Sequence, residues 1–531
     1  MSLNLADLFE AVADADPDRE VLVVGARRLT YRQLDERANR LANALAERGI
    51  GPGDTVGLQL ANSSEYIEGM LAAFKLRAIP VNINYRYVER ELRYLFDDSG
   101  IVGLLLHRAF APQVAAALSD GTPLRALLSV DDASDGLPVP GSESYDDVLA
   151  AASASRPDVV GRSDDDLYLI YTGGTTGMPK GVVWRHEDIF KAGMGGGDVA
   201  QMGNYVADEK ELATRMPPPG LCGMPAPPLM HAAAHWMAFH HLYCGGKVVL
   251  MPLGRFEAPE VLDTIAREKV LTLVLVGDAM MKPLLDELEA RSDAYDLSGL
   301  WVLASSGAAL SAQSKERLAA LLPGRMIVDS LGSSETGVLG AKGGQGGATF
   351  QLGEFTAVLD ESGAPVEPGS GAVGKVARRG HVPLRYHNDP EKSALTFVEV
   401  GGVRWSLTGD DATVEADGTV KMLGRGSQCI NTGGEKVYPE EVEEPLRAHP
   451  AIDDALVVGV PDERWGERVV AVVQPKSGVA LTLADVQSYV RDHVAGYKLP
   501  RDLVVVEKIV RSPAGKADYQ WAKQHAVDVL G

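Results

Sequence analysis

The sequence predicts an α/β protein of doubly wound, mainly parallel sheets with a small β subdomain, divided into two or three domains. Three observations predict it. Helical and strand patterns alternate from the first residues onward, which is the signature of a parallel sheet covered by helices. A chain of 531 residues exceeds one compact domain, so two or three are expected. Turn and strand signals crowd Asp360 to Gly374, after the alternation has ended.

In chain order, Leu5, Leu8, Phe9 and Val12 recur at helical spacing and give an amphipathic opening helix. Val21 to Tyr31 reads as a hairpin around Gly25. Thr30 is placed to cap a helix running from Leu34 to Arg48. Gly51-Pro52-Gly53-Asp54 then leads into a strand from Thr55 to Leu60, and Met70 to Asn84 gives helix, then strand. Residues 131–163 are rich in Asp, Ser, Gly and Pro and read as a surface excursion. Ala192 to Gly197 is glycine-rich and Pro217 to Pro228 proline-rich, so both read as mobile pocket walls rather than core. Gly340 to Gly353 reads as loose chain. Further strands are expected at Val274 to Gly277, Leu300 to Ser305 and Met326 to Ser330.

Composition narrows the function. Hydrophobic residues make up 45% of the chain, ample for a buried core, and the formal net charge is −22. That balance argues against a general binder of nucleic acid or acidic membrane. The three cysteines, Cys222, Cys244 and Cys429, are widely spaced without a Cys-x-x-Cys, as expected of a reduced, cytoplasmic setting. Met1 to Glu20 carries four Asp and two Glu and no basic n-region, so no signal peptide is expected. No run of about eighteen apolar residues occurs, so no membrane span is expected.

The stretch richest in chemistry is Tyr171 to Gly181, Y-T-G-G-T-T-G-M-P-K-G, between apolar Leu167–Ile170 and Val182–Trp184. It reads as strand, tight glycine loop, strand. Glycines let backbone N–H groups turn toward an anion, the hydroxyls of Thr172, Thr175 and Thr176 add donors, and Lys180 supplies a point charge suited to phosphate. The spacing excludes the standard nucleotide-triphosphatase loop, which needs four residues between its first glycine and Gly-Lys-Ser/Thr. His231 and His235 stand four apart, a spacing open to a metal pair on one helix face. No His-Glu-x-x-His and no carboxylate third ligand accompany them, so core or pocket histidines are the favoured reading.

T-G-G-T-T-G-M-P-K-G resembles the phosphate loop of the acyl-adenylate-forming superfamily, which includes acyl-CoA synthetases, free-standing adenylation domains and beetle luciferases. Further stretches resemble that family's motifs in the family's order and cover most of the chain. Trp184 to Asp188 (W-R-H-E-D) resembles actinobacterial acyl-CoA synthetases acting on fatty acids and sterol side chains.

The resemblance implies ATP, Mg²⁺ and CoA as ligands and a small carboxylic acid as substrate. It places Thr172, Gly173, Gly174, Thr175, Thr176, Gly177 and Lys180 on the phosphates. Gly307 and Ala308 flank adenine and the acyl carbonyl. Asp329-Ser330-Leu331-Gly332-Ser333-Ser334-Glu335 matches "Y-G-x-T-E" with its approach strand, so Ser334 binds the AMP phosphate and Glu335 holds magnesium. Leu331 replaces the usual stacking aromatic, leaving only apolar contact for adenine. Asp410, in Thr408-Gly409-Asp410, accepts from the ribose hydroxyls, with Asp411 as its competitor. Arg425 reaches the nucleotide at a hinge that has Ser427 where a charged residue is usual. The resemblance thereby divides the chain into a large N-terminal adenylation domain, 1–425, and a small mobile C-terminal α/β domain, 426–531. Gly433 and Gly434 swing in to line the pantetheine tunnel. Lys516, in Pro513-Ala514-Gly515-Lys516, contacts the carboxylate and α-phosphate. Pro228-Leu229-Met230-His231 lies at the mouth of the acyl pocket, and His231 joins Lys516, Glu335 and Lys180 as the candidate catalytic residues.

The implied reaction is ATP-dependent acyl-CoA synthesis through an acyl-adenylate. An acid–thiol ligase of this kind must hold two polyanions despite the net charge, and Lys180, Arg425, Lys498, Arg501 and Lys516 are the local cations for that task. The expected acyl pocket, His231 to Phe239, Val276 to Met281 and Ser305 to Ala308, is rich in small and pliant side chains and suits a bulky or long apolar acid, steroid, terpenoid or fatty. Two alternatives stand beside this: loading of a carrier-protein phosphopantetheine, and a non-catalytic nucleotide or acyl sensor. The oligomeric state, dimer included, is left open.

Overall fold

The computed structural model describes residues 2–118, 122–174, 177–252, 256–308, 310–343, 349–425, 428–432, 435–462, 466–491, 493–494, 496–511 and 516–530. Its organisation is α/β, with three sheets among these residues.

In the largest sheet, six parallel strands lie side by side in the order Glu20–Val24, Lys247–Leu250, Cys222–Pro225, Thr272–Leu275, Val302–Ser306 and Met326–Ser333. Beyond Met326–Ser333 the sheet turns antiparallel, through Gly337–Gly343 and Thr349–Leu352 into Val420–Arg425, Val403–Val414, Gly374–Arg379 and Thr356–Leu359. This antiparallel run is the expected β subdomain. The second sheet runs Arg385–Tyr386, Gly177–Arg185, Leu167–Gly174, Ile79–Asn82, Thr55–Gln59, Gly103–His107, Ala126–Val130 and Glu143–Ser144. Its glycine hairpin is antiparallel and the strands beyond it are parallel. The third sheet, formed by strands between Ile430 and Val505, packs with the helices Pro439–Ala448, Leu483–Val490 and Tyr519–Leu530.

The local predictions hold where the signals are local. The opening helix is Leu5–Ala15, capped by Asn4, whose side chain accepts from Ala6 N at 3.0 Å. Thr30 caps Tyr31–Glu47 in a reciprocal box: Thr30 Oγ1 accepts from Gln33 N at 3.3 Å, and Gln33 Oε1 accepts from Thr30 N at 2.9 Å.

Three readings are corrected. Residues 131–163 are more than a surface excursion, because the helix Tyr145–Ala151 inside them sends Tyr145 fully into the core. The proline-rich segment contains a buried central strand, Cys222–Pro225, with prolines outside it or at its last position. Gly340 to Gly353 is not loose at its ends, which belong to strands Gly337–Gly343 and Thr349–Leu352.

The helix Ser64–Lys75 is buried at every position. Its charges therefore need partners inside the protein. Glu65 pairs with Arg27. Glu68 accepts from Arg37 Nε at 2.8 Å and Tyr145 Oη at 2.6 Å. Lys75, with no exposed side chain, donates to Glu10 Oε1 at 2.5 Å and Asp35 Oδ1 at 2.7 Å, tying this helix to both helices before it. Replacing Lys75 by Met removes one of two cationic partners from each carboxylate, because Glu10 keeps Arg162 and Asp35 keeps Arg156. The expected loss is about 1–3 kcal/mol, read as a lower urea midpoint for Lys75→Met than for the unmodified protein.

Candidate active site

The glycine hairpin is pinned before it reaches the site. Tyr171 faces Gly181 and Thr172 faces Lys180 across the ladder. Asn82, buried at the end of its strand, donates to Tyr171 O at 2.8 Å and Met230 O at 2.7 Å and accepts from Tyr171 N at 2.7 Å. One carboxamide thus joins the hairpin to the turn before His231. Gly173, Gly174 and Gly177 lie within the two strands, whereas Thr175 and Thr176 lie outside the described residues.

Lys180 and Glu335, 155 positions apart in sequence, meet around Tyr386. The Lys180 ammonium sits 5.4 Å from the Tyr386 ring centre, and Tyr386 Oη donates to Glu335 Oε1 at 3.0 Å. The backbone around Glu335 is held on both sides: Trp184 Nε1 donates to Ser334 O at 3.0 Å, and Ser406 Oγ donates to Glu335 O at 2.6 Å. The half-buried Glu335 carboxylate offers the hard oxygen donor that Mg²⁺ prefers, so the residues present fit that ion. Tyr386 was missed by sequence reasoning. It stands in no motif, and its partners are remote in the chain.

The strands Val302–Ser306 and Met326–Ser333 run parallel and pair Ser306 with Ser330. They bring Gly307, Ser330, Leu331, Gly332 and Ser334 to one wall of a cavity of about 1390 Å³. Lys516, from the third-sheet domain, enters the same cavity. Gly307 has φ +80°, and a Cβ there would lie 3.6 Å from Lys516 Cε. Thr172 and His231 complete this end. Leu331 packs against the subdomain core and gives the cavity an apolar face.

Not every candidate points inward. Asp329 is buried, paired with Lys315, and its Oδ1 accepts from Leu310 N at 3.1 Å, so its carboxylate is committed inside the protein. Ala308 contributes its carbonyl to Ser305 Oγ at 2.6 Å. The adjacent aspartates Asp411 and Asp410 differ in burial. Asp411 is buried, paired with Lys375 and bonded by Tyr438 Oη at 3.2 Å, whereas Asp410 is half-buried. Asp410 pairs in the ladder with Arg425, whose side chain is outside the described residues, as are Ser427, Gly433 and Gly434.

The other end of the cavity is apolar: Trp236, Met237, Val274, Val276, Met326 and Val328 line it. Trp236 turns its polar edge away, donating from Nε1 to Tyr168 Oη at 2.9 Å, and Tyr168 in turn bonds His235 Nε2. His235 Nδ1 donates to Leu229 O at 2.9 Å. The expected mobile glycine wall is instead a close-packed one. Gly195, Gly196 and Gly197 all have positive φ, and a Cβ would collide with His240, Tyr205 and Leu212 respectively. His235 thus spends both ring nitrogens inside the protein and has none to share with His231.

Burial keeps the histidines here neutral. The imidazoles of His235 and His240 are pushed down to about 4 and that of His241 to about 3, burial being the largest cause in each. His231 is pushed to about 4 by burial first, then by the nearby positive charge of Lys516; its Nε2 is buried without a hydrogen-bond partner. Since each folded value lies below the ordinary 6.5, the unfolded chain binds more protons between them. Stability is untouched above about pH 6.5 and falls on acidification toward pH 4, by at most about 1.4 kcal/mol per pH unit per histidine. Urea midpoints measured at pH 7.5 and 5.5 should show this fall, and His235→Gln should make the dependence shallower.

Comparison with known proteins agrees with this geometry. The family described as AMP-binding enzyme matches residues 9–384, and the AMP-binding enzyme C-terminal domain matches residues 441–516. A 3-oxocholest-4-en-26-oate–CoA ligase of Rhodococcus rhodochrous is 50% identical, with 98% of this chain and 96% of that protein aligned. A medium/long-chain-fatty-acid–CoA/3-oxocholest-4-en-26-oate–CoA ligase of Mycolicibacterium smegmatis is 49% identical over the same shares. Among solved structures, the anthranilate CoA ligase AuaEII with anthranoyl-AMP superposes with a TM-score of 0.83 at 25% identity, covering 99% of this chain and 98% of that one. ATP-bound MatB from Rhodopseudomonas palustris gives 0.84 at 24% identity with both chains fully covered. This chain belongs to the AMP-binding enzyme family, on its acyl-CoA ligase branch.

Proposed function

We propose that this ligase activates the carboxylate of a bulky, apolar acid of the steroid side-chain class, first as an acyl-adenylate and then as a CoA thioester, in the cytoplasm. The observation that carries the reading is the shape of the site. One cavity of about 1390 Å³ joins the Thr172–Ser334–Lys516 end to a wall of Trp, Met and Val side chains. That exceeds the roughly 300–1,000 Å³ usual for a single ligand, as a nucleotide and a large acyl group together require. The name of the Rhodococcus rhodochrous relative, an acid with a fused-ring body, supports the class. A long-chain fatty acid is the second reading, favoured by the name of the Mycolicibacterium smegmatis relative.

In this reading a carboxylate oxygen attacks the α-phosphorus of ATP and pyrophosphate leaves. The nucleophile is already ionised, so no general base is needed. Lys516 offsets the negative charge gathering between carboxylate and α-phosphate, Ser334 holds the AMP phosphate, and Thr172 and Lys180 hold the departing phosphates. Asp410 accepts from the ribose hydroxyls. Glu335, fixed by Tyr386, would hold Mg²⁺, whose charge when bound further neutralises the phosphate oxygens. His231 lies near Lys516, where the nucleotide end meets the apolar wall; it is neutral, and the reacting carboxylate is the candidate partner of its Nε2. The thiol of CoA then attacks the acyl carbonyl and AMP leaves. That step requires Lys516 to withdraw, by rotation of residues 426–531 against 1–425 about a hinge near Ser427, with Gly433 and Gly434 brought in to pass the pantetheine.

Incubation with ATP, Mg²⁺, CoA and a panel of short, long, aromatic and steroid-like acids tests the class. AMP and acyl-CoA should appear fastest with the steroid-like acids. Faster turnover of long fatty acids would transfer the reading to them, and AMP without CoA consumption would indicate a carrier-protein acceptor. Lys516→Ala should lower acid-dependent ATP–pyrophosphate exchange by about 10²–10³ while leaving thioester formation from supplied acyl-adenylate in place. Equal loss in both would exclude the two-step division of labour.

A further inference from the structure

We propose that Lys282, on the large domain, is a positioning residue for adenylation: through Asp453, Asp454 and Arg511 it seats Lys516 over the nucleotide end of the cavity. The inference rests on the reading of Lys516 given above.

Lys282 lies in the helix Gly277–Arg291, which opens directly after the strand Thr272–Leu275 of the largest sheet. Its ammonium crosses to the small domain and donates twice to one residue there, to Asp453 O at 2.8 Å and Asp453 Oδ1 at 3.0 Å. The second carboxylate oxygen of Asp453 accepts from Gln474 Nε2 at 2.7 Å, and Gln474 Oε1 accepts from Ile509 N at 2.9 Å. Asp453 is therefore braced from within its own domain when it receives Lys282.

The next residue carries the contact onward. Asp454 takes a forked pair from Arg511: Nε to Oδ2 at 2.9 Å and Nη2 to Oδ1 at 2.8 Å. Such a planar, two-point pair fixes direction as well as distance. Arg511 in turn forms an antiparallel bridge with Ala517, the residue that follows Lys516. A continuous path of charge-assisted bonds and one backbone bridge thus runs from a rigid helix of the large domain to the immediate neighbour of Lys516. The neighbouring Glu443 adds a second brace, accepting from Arg447 Nη2 at 2.6 Å and Tyr519 Oη at 2.9 Å.

Only the first link of this path crosses between domains, so it must break when Lys516 withdraws for thioester formation. Lys282 and Asp453 are half-buried, with side chains 28% and 40% exposed, so the link is weak enough to be made and broken in each turnover. Its energy favours one domain orientation and not the other, which is the condition for biasing an equilibrium.

The test separates the half-reactions. Lys282→Ala should lower the maximal rate of ATP–pyrophosphate exchange about fivefold, the upper range for a partly exposed ion pair, with KM for ATP unchanged. Thioester formation from supplied acyl-adenylate should be unchanged or faster. Lys282→Arg should retain exchange, and the swapped pair Lys282→Asp with Asp453→Lys should recover it in part. Unchanged exchange in Lys282→Ala would overturn the proposal. So would an equal fall of both half-reactions with a lower melting temperature, which marks a merely structural contact. Lys516→Ala, run alongside, keeps the two readings apart. If it leaves exchange intact, the Lys516 reading fails; if it abolishes exchange while Lys282→Ala does nothing, only the Lys282 proposal fails.

Discussion

The buried carboxamide of Asn82 is the joint on which the site depends. With one acceptor and two donors it closes three hydrogen bonds, two to Tyr171 and one to Met230. A shorter side chain would leave a buried N–H and two carbonyls unpaired, at a cost of about 1–3 kcal/mol each. The hairpin side of the site is aligned from that joint outward. Tyr171 sets the register of the hairpin, the hairpin places Lys180, Lys180 lies on Tyr386, and Tyr386 orients Glu335. The acyl end is aligned from the same atoms, because Met230 immediately precedes His231.

Charge is organised with the same economy. A chain of net charge −22 must keep its carboxylates from repelling ATP and CoA. Carboxylates behind its walls are committed to partners, Asp329 to Lys315, Asp411 to Lys375 and Tyr438, Glu443 to Arg447 and Tyr519, and of those that line the cavity Glu467 pairs with Lys523. The histidines at and behind the apolar wall are held neutral by burial, so they add no positive charge to it.

Sequence reasoning succeeded where cause and effect are close in the chain. The cap at Thr30, the glycine hairpin and the alternation of helix and strand each follow from a few adjacent residues. The β subdomain was legible only as a cluster of turn and strand signals, because its strands pair with partners far along the chain. The strand Cys222–Pro225 was hidden by the prolines around it, whose missing N–H groups matter only if a neighbour needs them. In the site, Lys180, Glu335, Ser334 and Lys516 could be read from an ordered series of motifs. Tyr386 and Asn82 could not, since their roles exist only once remote strands are adjacent. Asp329 shows the reverse failure: it sits inside a motif, yet its partner Lys315 comes from a helix that the motif does not contain.

The three consecutive glycines at 195–197 bear on how this enzyme can change over generations. Each is packed so tightly that any side chain meets His240, Tyr205 or Leu212. A side chain gained at any of the three must be met by a change in the residue it strikes, so these positions vary together with a partner or not at all.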